Sequence, residues 1–168
     1  MPSWQTRFTQ QFPCTLPIFG APMANVSGGH LAASVTKSGA LGSIAAGHYC
    51  SEQAVLNLEV EIEEFYRCFR SYSGEERRPP AVPPLVVGFI CHSTFATPQG
   101  WNLVDNFMKK YKPAAVQYFA PALVSKPPHT LTEDGIFNNI DLAHKYGIKV
   151  LTQVGTQKEA LHVLESGT

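Results

Sequence analysis

Five times along the chain, a short continuous apolar run is followed by a stretch with helical periodicity. The runs are Pro17–Pro22, Gly42–Ala45, Leu85–Cys91, Ala114–Phe119 and Ile148–Val154. None alternates between apolar and polar positions. A strand buried on both faces reads that way, which marks a parallel sheet covered by helices. The repeat restricts the chain to an α/β architecture with right-handed crossovers.

The intervening helices carry their own start and stop signals. The first is predicted from about Gly29 to Lys37, with Leu31, Ala32 and Val35 inward, Ser27 as N-cap and Gly39 as the stop. The second starts after Ser51 and buries Ala54, Leu58, Ile62, Phe65 and Phe69, with Glu63 and Arg67 paired outside. The third has Thr97 as N-cap and Pro98 at its first position, then Trp101, Val104, Met108 and Tyr111 inward. The fourth starts near Thr132, buries Ile136, Ile140 and Ala143, and stops at Gly147. The fifth opens with a capping box, Thr156 to Glu159, and closes at Gly167.

Residues 1–168 read as one partial domain: an N-terminal extension over 1–16, then five βα units over 17–168. The segment 71–84, SYSGEERRPPAVPP, has charge, glycine and four prolines, and is predicted to be an exposed linker. Residues 120–132, APALVSKPPHTLT, form a long loop after the fourth strand. In a βα repeat that loop sits at the carboxyl ends of the strands, where ligands bind; a plain insertion reads the same. Periodicity leaves two architectures open. One is a complete five-stranded doubly wound sheet, which 168 residues would fill. The other is the first five units of a TIM (β/α)8 barrel, incomplete here because closure takes about 250 residues.

Composition excludes some functions. Thirteen basic and thirteen acidic side chains cancel, so no electrostatic handle for nucleic acid or anionic lipid exists. The same neutrality favours self-association of a partial domain. No apolar run approaches the roughly 20 residues of a membrane span, and the start lacks a secretory signal. Cys14, Cys50, Cys68 and Cys91 form no CxxC pair, so they read as idle thiols in a reducing cytoplasm, and no metal site is predicted. P-loop, GxSxG, HExxH and GxGxxG patterns are absent.

What remains is a resemblance. Pro17-Ile-Phe-Gly-Ala-Pro-Met-Ala24, Leu31-Ala-Ala-Ser-Val35 and Ser38-Gly-Ala-Leu-Gly42 are similar to the opening of the nitronate monooxygenase (2-nitropropane dioxygenase) family, most of all its fungal branch. Val87–Ile90, Ala115–Ala122 and Lys149–Thr156 resemble its third, fourth and fifth strands in order. The resemblance implies a (β/α)8 barrel holding FMN at the strands' carboxyl ends. It implies a cytoplasmic oxidoreductase acting on small alkyl nitronates with molecular oxygen. It places Ala21, Pro22 and Met23 under the flavin as a stiff apolar shelf, and Gln153 at its edge. Gln117, inside the fourth strand, could reach the barrel mouth or be a satisfied core amide. Gly88 stands where many bacterial members carry a flavin-contacting asparagine; it loses that polar contact but allows close backbone approach.

The family's catalytic histidine follows strand six, in an AGGH-type segment that would begin after Thr168. No histidine here matches it, and no catalytic residue is predicted within the chain. His30, His144 and His162 read as surface or cap residues on helices, and His92, ending the third strand, lies nearest the site. His48 and His129 fall in loops with no partner assignable from sequence. The family's phosphate-holding loops follow strands seven and eight, so the chain alone is expected to bind FMN weakly or not at all. Open strand edges would favour self-association. The alternatives are a truncated, catalytically inert product, or a flavin-dependent enoyl thioester reductase relative.

Overall fold

The structure, a computed structural model, describes residues 4–71, 84–127 and 135–167. Helices α1 (Arg7–Gln11) and α2 (Gly29–Lys37) precede strand β1 (Gly42–Gly47). Helix α3 (Glu52–Ser71) leads to β2 (Leu85–Ile90), then α4 (Cys91–Thr94) and α5 (Pro98–Tyr111) lead to β3 (Ala115–Phe119). Helix α6 (Asn139–His144), β4 (Lys149–Thr152) and α7 (Gln157–Glu165) complete the order.

The strands form one parallel sheet in the order β1-β2-β3-β4. An unreversed order with right-handed crossovers keeps every connecting helix on one face. The packing bears this out. Ile44, Val87, Phe89, Val116 and Tyr118 share one core with residues from α2, α3, α5, α6 and α7. The arrangement is that of part of a (β/α)8 barrel; a doubly wound sheet would reverse its order and cover both faces.

Among the described residues, the opposite face is covered by an apolar cluster at its amino end. There Phe12, with Phe8, packs against Leu41, Val86 and Ala115. The N-terminal extension thus contains a short helix that the sequence reading lacked. Its cap is Thr6 paired with Thr9, a weaker signal than Ser/Thr with Glu/Gln.

The first predicted strand is reduced to a single bridge, Phe19 to Leu41. The Gly20 N–H donates to the Leu41 carbonyl at 2.9 Å, and the Leu41 N–H to that of Ile18 at 2.9 Å. Pro17 and Pro22 lack N–H groups at both ends of the run, so no longer ladder can form. Other boundaries shift for local reasons. Helix α6 starts at Asn139 because Asn138 and Asp141 make a capping box; the predicted start at Thr132 lies outside the described residues. Linker residues 72–83 also lie outside them, while Ser71 belongs to α3 and Pro84 is buried. Within α3, Arg67 pairs with Glu64 at 3.1 Å, not with Glu63.

Helix α2 reaches the sheet through glycine. Its buried side chains are Ala32, Ala33 and Thr36, whereas Leu31 points outward, against expectation. A Cβ on Gly42 would stand 2.1 Å from the Ala32 carbonyl oxygen and 2.5 Å from Thr36 Oγ1. That hydroxyl accepts the Gly42 N–H and donates to the Pro84 carbonyl, each at 3.2 Å, so it links β1 to the entry of β2. Gly42→Ala is therefore expected to cost about 1–3 kcal/mol by overpacking, read as a lower midpoint in urea unfolding.

Candidate functional site

Because the helices occupy one face, the carboxyl end of the other is open. Ala45, Gly88, Gln117 and Leu151 are successive partners across it. Pro22 fills the notch that Gly88 leaves: a Cβ there would lie 2.5 Å from Pro22 Cγ and 3.6 Å from the Phe119 ring. The close approach predicted at Gly88 is thus made by Pro22.

The Ala21–Met23 turn is held by Ser27. Its hydroxyl donates to the Ala21 carbonyl at 2.7 Å and accepts the Met23 N–H at 3.0 Å. Its carbonyl accepts the Ala45 N–H at 3.0 Å, tying the turn to β1. Ser27 is therefore not the N-cap of α2; Gly28 is, without a side-chain bond. The carboxylate of Glu61, from α3, accepts the Gly29 N–H at 2.6 Å instead. Ala21 and Met23 face solvent, Met23 at 46% exposure, as a shelf beside the strip.

Gln117 is the polar member of the strip. Its Oε1 is buried and has no hydrogen-bond partner among the described residues. A buried acceptor left without a donor costs about 1–3 kcal/mol. The open rim beside it offers a place for a donor from elsewhere.

Gln153 lies apart. Its N–H donates to the Tyr118 carbonyl at 2.8 Å, and it lines a cavity of 340 Å³ with Phe119, Pro121, Val154 and His162. Phe119 borders both this cavity and the Gly88 notch.

The loop after β3 is held by a residue that sequence reasoning missed. Asn139 is fully buried, accepts the Val124 N–H at 2.9 Å and donates to the Ala122 carbonyl at 3.1 Å and the Cys91 thiol at 3.6 Å. Its position just inside a helix start was the available signal. Burial pushes the Cys91 thiol up to about 12.

No family model matches the sequence. A nitronate monooxygenase from Neurospora crassa is 31% identical over 173 residues, covering 96% of this chain and 43% of that protein. The chain is similar to nitronate monooxygenases over nearly its whole length. The family resemblance read from the sequence is borne out, and the chain spans less than half the length of that relative. Among solved structures, the M276A mutant of FabK from Thermotoga maritima superposes with a TM-score of 0.65 at 21% identity, covering 98% of this chain and 44% of that one. A nitroalkane oxidase from Streptomyces ansochromogenes gives 0.60 at 21% identity, covering 97% and 46%. Both share the fold described above. Among the described residues, no helix is long and apolar enough to cross a membrane.

Two outcomes test this geometry. Ser27→Ala leaves the Ala21 carbonyl and Met23 N–H without their partner, and is expected to cost about 1–2 kcal/mol in urea unfolding. The Cys91 thiol gives a pH dependence. Its folded value is raised above the ordinary thiol range of about 8.5, so the folded chain keeps a proton that the unfolded chain releases. Its contribution is intact below about 8.5 and is lost as pH climbs toward about 12. Unfolding midpoints taken between pH 7 and about 10 should fall, and less steeply in Cys91→Ala.

Proposed function

We propose that this chain supplies the flavin shelf of an FMN-dependent oxidoreductase that oxidises alkyl nitronates with molecular oxygen. The observation that carries the reading is the unpartnered Gln117 Oε1 on the open face, beside the Pro22–Gly88 contact. It stands in a chain 31% identical to a nitronate monooxygenase. A planar ring with N–H edges suits that surface: a flat apolar shelf at one side and a buried acceptor within it.

In this reading Ala21, Pro22 and Met23 support the ring, and Ser27 keeps their turn rigid. Gly88 acts by admitting Pro22, so that the shelf lies low on the sheet. Gln117 accepts a hydrogen bond from the ring, and Gln153 closes the neighbouring edge. FMN, when bound, takes electrons from the substrate and passes them to oxygen. The chain's own part is to bind, orient and exclude water. No proton-abstracting role is assigned to a residue of this chain.

The enoyl thioester reductase reading shares the same shelf. The 31% identity to a nitronate monooxygenase, against 21% to FabK, ranks it second. The test uses a protein carrying this chain at its relatives' length, purified with FMN. Bound flavin is measured by absorbance, and oxygen uptake is followed with an alkyl nitronate. Gln117→Leu should retain at least tenfold less FMN, yet make the flavin-free protein about 1 kcal/mol more stable by removing an unsatisfied acceptor. Unchanged FMN retention would remove Gln117 from the site. Turnover of an enoyl thioester, with no nitronate-dependent oxygen uptake, would install the second reading.

A further inference from the structure

At the carboxyl ends of β1 and β2, two histidines 44 positions apart in sequence meet. The rings of His48 and His92 lie edge to face with centroids 5.8 Å apart. Both residues are exposed. The hydrogen bond of His92 decides which of its ring nitrogens carries the proton. His92 Nδ1 lies 2.7 Å from the Ala120 carbonyl oxygen, which can only accept, so Nδ1 bears the hydrogen. His48 Nδ1 lies 2.5 Å from Ser93 Oγ. Ser93 Oγ also lies 3.1 Å from the Ile90 carbonyl oxygen. Its one hydroxyl hydrogen can go to that carbonyl or to His48 Nδ1. With the hydrogen on the carbonyl, His48 Nδ1 donates and both neutral rings present an unprotonated Nε2; neither Nε2 has a hydrogen-bond partner among the described residues.

We propose that His48 and His92 form an open binding site for a borderline transition-metal ion, Zn²⁺, Ni²⁺ or Cu²⁺, through their Nε2 atoms. A histidine that binds metal through one nitrogen ordinarily donates the other N–H to a carbonyl or similar acceptor, which fixes its tautomer and orientation. His92 has that support from the Ala120 carbonyl, and Ser93 Oγ can give it to His48. Two imidazoles sharing one tetrahedral ion at about 2.0–2.1 Å hold their ring centres roughly 5–6 Å apart, which matches the spacing seen. Imidazole nitrogen selects these ions over Mg²⁺ and Ca²⁺, which require oxygen ligands.

No group of three or more His, Cys, Asp or Glu side chains able to hold a metal occurs among the described residues. The remaining coordination positions thus fall to water or to an oxygen atom of a small molecule at the rim. Such a site binds exchangeably and keeps room for a further ligand. The inference is independent of the flavin reading, because it uses neither the shelf nor Gln117.

The test is calorimetric titration of Zn²⁺ and of Ni²⁺ alone into the chelator-treated, tag-free chain. One ion per chain is expected, with binding weakened at least tenfold in His48→Ala and in His92→Ala and abolished in the double variant. His162→Ala should bind as the parent does. Long-range ¹H–¹⁵N spectra of the unmutated chain supply a readout that does not depend on the variants folding. They should show His92 as the Nδ1–H tautomer, with Nε2 of both rings perturbed on adding Zn²⁺. The proposal is overturned by absence of binding, by binding that survives in the double variant, or by Nε2 resonances that Zn²⁺ leaves unmoved.

Discussion

Everything functional in this chain follows from a one-sided sheet. Strands laid down in sequential order with right-handed crossovers put all connecting helices on one face. That face is saturated with apolar contact, and aromatic rings such as Phe89, Phe107 and Tyr118 interlock across it. Among the described residues, the other face is covered by Phe8, Phe12, Cys14 and Phe19, which pack with Leu41, Val86 and Ala115 and, towards β4, Leu151. The carboxyl-end row of Ala45, Gly88 and Gln117 is left to Pro22 and to whatever binds there.

Much of this was legible because the signals were local. Helix α2 runs over the predicted Gly29–Lys37, and α5 starts at the predicted Thr97 cap and Pro98. The Thr156–Glu159 capping box is also present. In each case a cap and a periodic apolar stripe agree within a few residues. The strand interiors were legible as near-continuous apolar runs, although the sheet is covered by helices on one face and β4 is exposed or half-buried throughout. The choice between arc and doubly wound sheet was legible through the family resemblance and not through periodicity, since pairing order leaves no trace in a single strand.

Polar residues that act across sequence distance were misread or missed. Ser27 stands two residues before a helix and looks like a cap, yet its hydroxyl ties the Ala21 carbonyl to the Met23 N–H. The cap it seemed to supply comes from Glu61, 32 residues after the Gly29 N–H that it accepts. Asn139 looks like one more polar residue near a helix start, but its amide holds the loop after β3 from within the core. The His48–His92 contact is of the same kind. Capping rules describe i to i+3 geometry, and each of these contacts reaches beyond it.

The rim therefore presents two unmet requirements of opposite sort. Gln117 Oε1 is buried, and its lone pairs need an N–H or O–H donor. The Nε2 atoms of His48 and His92 are exposed, and their lone pairs suit a proton or a metal ion; water can solvate them at little cost. A buried orphan carries a penalty that only a well-fitted ligand relieves, so Gln117 bears on a resident group. An exposed pair carries no such penalty and bears on an exchangeable one. The two proposals therefore rest on different atoms of the rim, and neither ligand would compete for the other's contacts.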